Sequence, residues 1–225
     1  MARDAIPAAV LLDALGTLIE LERPWPHLVA ELAARGVVVG EDDARRAMLA
    51  EMAYYRAHHD EASSWAALRD LRRRCAGVVA GELGLALPPD DVLEALLASI
   101  RFNAYPEVPE ALARLRAGGA RLAVVSNWDV SLHDVLERTG LRPLVDAVVI
   151  SAEVGVAKPQ PAIFHAALER LGATAADALH VGDSLELDVA GARAAGLRAV
   201  LVARDGEPPR EGVPTVSSLL GVLPG

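Results

Sequence analysis

The sequence predicts an α/β protein, a doubly wound parallel sheet with an inserted α-helical domain. Three observations predict it. Short apolar runs alternate with helical patterns throughout the second half of the chain. Each run is apolar on both faces, as a strand covered on both sides of a parallel sheet must be. The segment from about Glu20 to Asn103 reads as helix alone and interrupts the alternation just after its first strand.

The runs expected to form strands are Ala8–Leu12, Leu122–Ser126, Ala147–Ser151, Ala178–Val181 and Ala199–Val202. Helical patterns separate them at Pro109–Ala117, Val130–Arg138, Pro161–Leu171 and Leu187–Ala195. Pro109 and Pro161 stand where a helix begins, because an N-terminal residue needs no amide hydrogen. Gly118, Gly140, Gly172 and Gly196 stand where helices stop. This is the pattern of a doubly wound sheet. The interrupting segment has helical patterns at Pro24–Arg35, Asp42–His58, Ser64–Leu83 and Asp90–Arg101, and no strand is expected in it. The expected domains are 1–19 with 104–225 as the α/β core, and 20–103 as a helical cap. Insertion after the first strand favours a lid, since ligands of open α/β sheets bind at the carboxyl ends of strands.

Composition narrows the function. The chain has 225 residues, 52% apolar and 24% charged, as in a soluble globular protein. Aromatics are 4% and the net charge is -9, which argues against nucleic acid and anionic membrane as partners. The basic run Arg72-Arg73-Arg74 fits a solvated helix face. Cys75 is the single cysteine, so no intramolecular disulfide can form, which fits a reducing cytosol. Ile6–Leu12 is too short for a signal-peptide core, and no stretch reaches membrane-spanning length. A cytoplasmic protein, monomer or homodimer, is expected.

One residue type is used once. The 22 lysines and arginines include a single lysine, Lys158. A site that places a compact charge among buried oxygens demands an ammonium and rejects the planar guanidinium. Polar residues cluster at the expected strand ends: Asp13, Gly16 and Thr17 after the first, Ser126 and Asn127 after the second, Gly182-Asp183-Ser184 after the fourth with Asp188 beyond. Lys158 follows the third. In a parallel sheet these ends share one edge. Carboxylates, hydroxyls and one ammonium together suit a hard cation and a phosphate-like anion.

Here Leu11-Leu12-Asp13-Ala14-Leu15-Gly16-Thr17-Leu18, Val125-Ser126-Asn127, Lys158-Pro159 and Val181-Gly182-Asp183-Ser184 with Asp188 resemble, in order and spacing, the four motifs of the haloacid dehalogenase-like hydrolase superfamily. The helical insertion after the first motif resembles the cap of one subgroup. The resemblance covers nearly the whole chain and implies a Rossmann-like hydrolase core. It implies that Asp13 is a nucleophile forming an aspartyl intermediate. Thr17 and Ser126, with Asn127 beside it, would hold the transferring group, and Lys158 would neutralise charge. Mg2+ would be held by Asp13, the backbone carbonyl of Leu15, Asp183 and Asp188, the last directly or through water. The substrate implied is a small phosphorylated molecule.

The chain departs from the pattern at Leu15. Phosphatases of the superfamily usually carry a second aspartate there, which protonates the leaving oxygen. Losing general acid–base catalysis costs about 10²–10⁴-fold. Asp129 and His133 are candidate replacements. Dehalogenases of the superfamily also lack that aspartate, but their fourth motif resembles Ser-Asn where this chain has Gly182-Asp183. Phosphonate-cleaving members need a cap lysine, and this cap has none. Three readings stay open, in order: a Mg2+-dependent phosphatase, a 2-haloacid dehalogenase-type hydrolase, and a weakly active member that binds a phosphorylated ligand or protein. Trp25 and Trp128 fit either the entrance or interdomain packing. Tyr54 with His58, and Tyr55 with His59, form two adjacent helical stripes. Either a substrate-facing patch or one buried and one solvated stripe would fit them.

Overall fold

The computed structural model describes residues 6–204 and 212–223. Contacts divide the chain into two compact units. One holds the residues through Glu20, Ala104–Trp128 and those from Leu132 on; the other holds Leu21–Asn103 and Asp129–Ser131.

The first unit is built on a six-stranded parallel sheet: β1 (Ala9–Leu12), β4 (Arg121–Ser126), β5 (Ala147–Ile150), β6 (Ala178–Gly182), β7 (Arg198–Val202) and β8 (Thr215–Val216). Their order is β5-β4-β1-β6-β7-β8. The chain steps outward from β1 through β4 to β5, then crosses back and continues through β6 and β7. β1 therefore stands where the order reverses, the point at which such sheets bind ligands. Every residue of β1 and β6 is buried, which is why both read as apolar on both faces, His180 of β6 excepted. Leu12 pairs with Val124 on one side and Val181 on the other. Asp13, Ser126 and Asp183 thus emerge within about a residue of the same level.

Helices α5 (Val108–Ala117), α6 (Leu132–Arg138), α7 (Ser151–Val154), α8 (Pro161–Leu171) and α9 (Gly191–Ala194) connect the strands. Pro161 opens α8 as expected, and Pro109 is the second residue of α5, which starts one residue earlier at Val108. Ile163, Phe164, Ala167, Leu168 and Leu171 of α8 pack with Leu11, Val125 and Val149 of the sheet. Their spacing is that of one helical face.

Four local expectations need correction. Ser151 ends no strand; it opens α7. α6 starts at Leu132 rather than Val130, because Asp129 Oδ1 accepts from Ser131 N at 2.6 Å and Val130 N donates to Ala62 O at 3.2 Å. The helix expected at Leu187–Ala195 is a π-helical turn over Leu185–Ala190 followed by α9. Ser184 O accepts from both Asp188 N and Val189 N at 3.1 Å, the second being the wider i+5 bond. Strands were missed at β2 (Ile19–Leu21), β3 (Phe102–Ala104) and β8. β2 and β3 form a two-stranded sheet of their own. Two or three residues are too few to show a period-2 alternation.

The second unit contains α1 (Pro24–Ala34), α2 (Glu41–His58), α3 (Trp65–Leu83) and α4 (Pro89–Ser99). Its core joins Leu28 and Leu32, Ala44 and Met48, Leu71 and Val79, and Val92 and Leu96, pairs four or eight residues apart. Ser64 caps α3 by accepting from Ala67 N at 3.3 Å. No helix among the described residues is long and apolar enough to cross a membrane.

Candidate active site

Asp13 leaves β1 with its backbone N–H donating to Val181 O at 2.9 Å, so its position is set by the neighbouring strand. Its side chain is buried, and Oδ1 accepts from Ser126 Oγ at 3.0 Å and lies 2.7 Å from Lys158 Nζ. Burial pushes the Asp13 carboxyl up; the Lys158 ammonium opposes this without cancelling it, while Asp188 adds to it.

Lys158 is 4% exposed and lies in the loop between α7 and α8. Burial alone would drive its ammonium to lose a proton. Asp13 and Asp188 outweigh that and hold its pKa above the ordinary lysine range. Asn127 fixes the lysine's backbone from both sides: Lys158 N donates to Asn127 Oδ1 at 2.7 Å, and Asn127 Nδ2 donates to Lys158 O at 3.0 Å. The amide side chain of Asn127 is therefore used to hold the peptide of Lys158.

Asp188 is buried, and both its oxygens are engaged. Oδ1 accepts from Lys158 Nζ at 2.7 Å and lies 2.8 Å from His180 Nε2; Oδ2 accepts from Ser184 N at 3.0 Å. Burial would raise its pKa, but Lys158 and His180 overcome that and hold the carboxyl well below its usual range. Asp183 is the solvent-reached member. Burial, then the charges of Asp13 and Asp188, push its pKa up to about 6.

One oxygen each from Asp13, Asp183 and Asp188 lies within 4.8 Å of the others. Three carboxylates facing one ammonium leave an excess of negative charge, which adds to burial in raising the Asp183 pKa. An all-oxygen set with excess anionic charge fits a hard divalent cation. The backbone is shaped around the same carboxylates. Gly16 has φ +78, and a Cβ there would collide with Asp183 Oδ2; a Cβ at Gly182 would collide with Asp188. Thr17 Oγ1 is buried with no hydrogen-bond partner among the described residues. Leu15, two residues past Asp13, is 36% exposed and offers no titratable group.

The structure thus brings Asp13, Ser126, Lys158, Asp183 and Asp188 together and places Thr17 and Leu15 on the adjoining loop. The candidate replacements for a proton donor are engaged elsewhere. Asp129 accepts from Tyr55 Oη at 2.6 Å within the helical unit, and His133 pairs with Glu153 at 2.9 Å. Burial and the Asp129 carboxylate hold the Tyr55 phenol well above its usual pKa, which keeps it a donor. Trp128 is buried and its backbone N–H donates to Ser151 Oγ at 3.1 Å. The expected stripes are real contacts: Tyr54 stacks on His58 at 4.1 Å between centroids, and Tyr55 meets His59 at 5.8 Å.

Two residues escaped sequence reasoning. His180 stands inside β6 among apolar neighbours, fully buried, and reaches Asp188. A histidine within an otherwise apolar strand was the available signal. Arg204 touches the Asp13 loop from beyond β7 and carries no local signal at all.

Comparisons with known proteins agree with this geometry. The model of a hydrolase family, haloacid dehalogenase-like hydrolase, matches residues 7–196. Haloacid dehalogenase-like hydrolase domain-containing protein 3 of Mus musculus is 34% identical over 232 residues, covering 94% of this chain and 91% of the relative. Glyceraldehyde 3-phosphate phosphatase of Methanopyrus kandleri is 43% identical over 101 residues, covering 44% of this chain and 43% of the relative. Among solved structures, a HAD phosphatase from Thermococcus onnurineus superposes with TM-score 0.64 at 27% identity, covering 96% of this chain and 99% of that one.

Proposed function

The chain belongs to the haloacid dehalogenase-like hydrolase family, and from that premise we propose that this hydrolase is a Mg2+-dependent phosphatase acting on a small phosphorylated molecule through Asp13. The observation that carries the reading is the shared ammonium. Lys158 Nζ lies 2.7 Å from both Asp13 and Asp188, while Asp183 stands close to both carboxylates with a raised pKa. A halide leaving group needs no cation; a dianionic phosphoryl group does, and carboxylates in excess of the one ammonium are suited to hold it. Phosphatases among the similar proteins support the same choice. The domain division proposed is a hydrolase core of residues 1–19 and 104–225 and a helical cap of residues 20–103.

In this reading Asp13 Oδ1 is held by Ser126 and Lys158, which leaves Oδ2 to attack phosphorus. The O–P bond to Asp13 forms as the bond to the leaving oxygen breaks. Water then attacks the aspartyl-phosphate at phosphorus, releasing phosphate and restoring the carboxylate. Ser126 orients the nucleophile, and Lys158 neutralises charge on it. Mg2+, held by Asp13, the backbone carbonyl of Leu15, Asp183 and Asp188, would supply charge neutralisation for the phosphoryl oxygens. Leu15 cannot hand a proton to the leaving oxygen, so substrates that leave as weak bases, acyl and aryl phosphates, are favoured.

The test is phosphate and halide release from alkyl, aryl and acyl phosphates and 2-haloacids, with Mg2+ and then with EDTA. Mg2+-dependent phosphate release, fastest for the better leaving groups, is expected. EDTA-insensitive halide release would overturn the reading in favour of a dehalogenase. Silence across the panel, with a phosphorylated ligand still bound, would overturn it in favour of a binding protein.

A further inference from the structure

Arg204 lies two residues past β7, on the edge where Asp13 leaves β1. Its guanidinium spans the loop that follows the nucleophile. Nε donates to Gly16 O at 3.0 Å, Nη2 donates to Thr17 O at 2.6 Å, and Nη1 donates to Glu107 Oε1 at 2.8 Å. The plane sits 3.4 Å from the centroid of the Tyr105 ring. Tyr105 is itself tied to the loop, since its N–H donates to Leu18 O at 3.1 Å. Burial would raise the Glu107 carboxyl, but the hydrogen bond and charge of Arg204, together with backbone hydrogen bonds, hold it below its usual range.

We infer that Arg204 is a positioning residue: it sets the Gly16–Thr17 backbone, and through it the placement of Asp13 against Asp183. The inference rests on the proposed role of those two carboxylates. Three features carry it. Two consecutive carbonyls are held by one rigid group, so both peptide planes are set together. On the loop's other side, the α-carbon of Gly16 lies so near the Asp183 side chain that a single methyl would collide. A cavity of about 230 Å³, bounded by Gly16, Tyr105, Asp183 and the stretch from Leu201 to Arg204, lies alongside. Facing that space, the carbonyls of Gly16 and Thr17 are held by the guanidinium.

The residue type follows from the geometry. A lysine ammonium is a point charge; it cannot bridge two carbonyls and a carboxylate while stacking on a ring. The same chain uses its one ammonium at Lys158, where a compact charge between two carboxylates is needed.

The experiment compares wild type, Arg204→Ala and Arg204→Lys in the full chain. Misplacing a reacting group by about 1 Å costs on the order of 10²-fold. Arg204→Ala is expected to lose about that factor in kcat with KM little changed. Methylguanidinium at millimolar concentration should restore part of it by entering the enlarged cavity, and Arg204→Lys should not recover it. A readout free of metal and substrate is amide hydrogen exchange in EDTA. The amides of residues 15–18 should exchange about tenfold faster in Arg204→Ala, with β6 unchanged. If Arg204→Ala does not fold, Tyr105→Leu, which removes only the stacking platform, is expected to show the same local change more weakly. Unchanged exchange at residues 15–18 would overturn the inference. So would an activity loss that tracks global unfolding and is not rescued. Wild-type enzyme without Mg2+-dependent phosphate release would sink the phosphatase reading instead, and the exchange data would still decide the role of Arg204.

Discussion

Lys158 Nζ stands 2.7 Å from Asp13 Oδ1 and 2.7 Å from Asp188 Oδ1, so one buried ammonium bridges the carboxylate that follows β1 and the one carried by the π-helical turn. Each carboxylate raises the lysine pKa, and the lysine opposes the burial cost of each. Removing the ammonium leaves two buried anions facing each other. Lys158→Met is expected to destabilise the fold by about 3–5 kcal/mol in EDTA, the cost of stripping one partner from a buried pair. Lys158→Arg should retain charge yet lose about 10²–10³ in kcat, because a planar fork cannot occupy the point between them. Denaturant melts and steady-state kinetics check both. Near-wild-type kcat in the arginine variant would refute the shape argument.

Asp183 predicts a pH dependence. Its folded pKa is raised from 3.8 to about 6, so the folded protein holds this proton more tightly than the unfolded chain does. The stabilising contribution is present below pH 3.8 and is lost as the pH rises through about 6. Mg2+ held by Asp183, as proposed, would require the ionised form, so its affinity should fall as the pH drops below about 6. Asp183→Asn should flatten that profile and weaken Mg2+ binding. Calorimetric Mg2+ titration across the range measures it, and an unchanged pH profile in the variant would assign the dependence to another group.

Leu15→Asp should raise turnover on alkyl phosphates. The position is 36% exposed, so a carboxylate there is not forced into a dry site. General acid–base catalysis is worth about 10²–10⁴-fold, and even a poorly aligned carboxylate should recover part of it. The gain should be large for alkyl and small for aryl phosphates. An equal gain for both would mean that proton transfer is not what the variant restored.

His180→Leu removes the partner that lies 2.8 Å from Asp188 Oδ1. The expected cost is about 1–3 kcal/mol, since the acceptor stays buried with one donor fewer. Activity should fall less than in Lys158→Met, because Lys158 still holds the same oxygen. The pair of melts and kcat values distinguishes this support role from a role in chemistry, which would drop kcat without moving the midpoint.

Much of the candidate site was legible because parallel strands deliver their last residues to one edge. Asp13, Ser126 and Asp183 each follow an apolar run, and the register of Leu12 with Val124 and Val181 aligns them. Lys158 stood out through composition, as the one lysine of the chain. The bond between Tyr55 and Asp129 joins residues 74 apart and turns a candidate proton donor into an acceptor within the helical unit. Nothing in either local pattern indicates that pairing.

The sequence by itself determined the fold class, the main strands and helices, and the residue types at the strand ends, because hydrophobic period and capping chemistry act over a few neighbours. Only the tertiary structure decided how those residues are engaged. Asn127 grips a backbone, His180 and Lys158 share Asp188, and Arg204 reaches across 187 positions to Thr17. Hydrogen bonds and ion pairs depend on separations of about 3 Å in space. Separation along the chain leaves those distances undetermined until the sheet has brought its ends together.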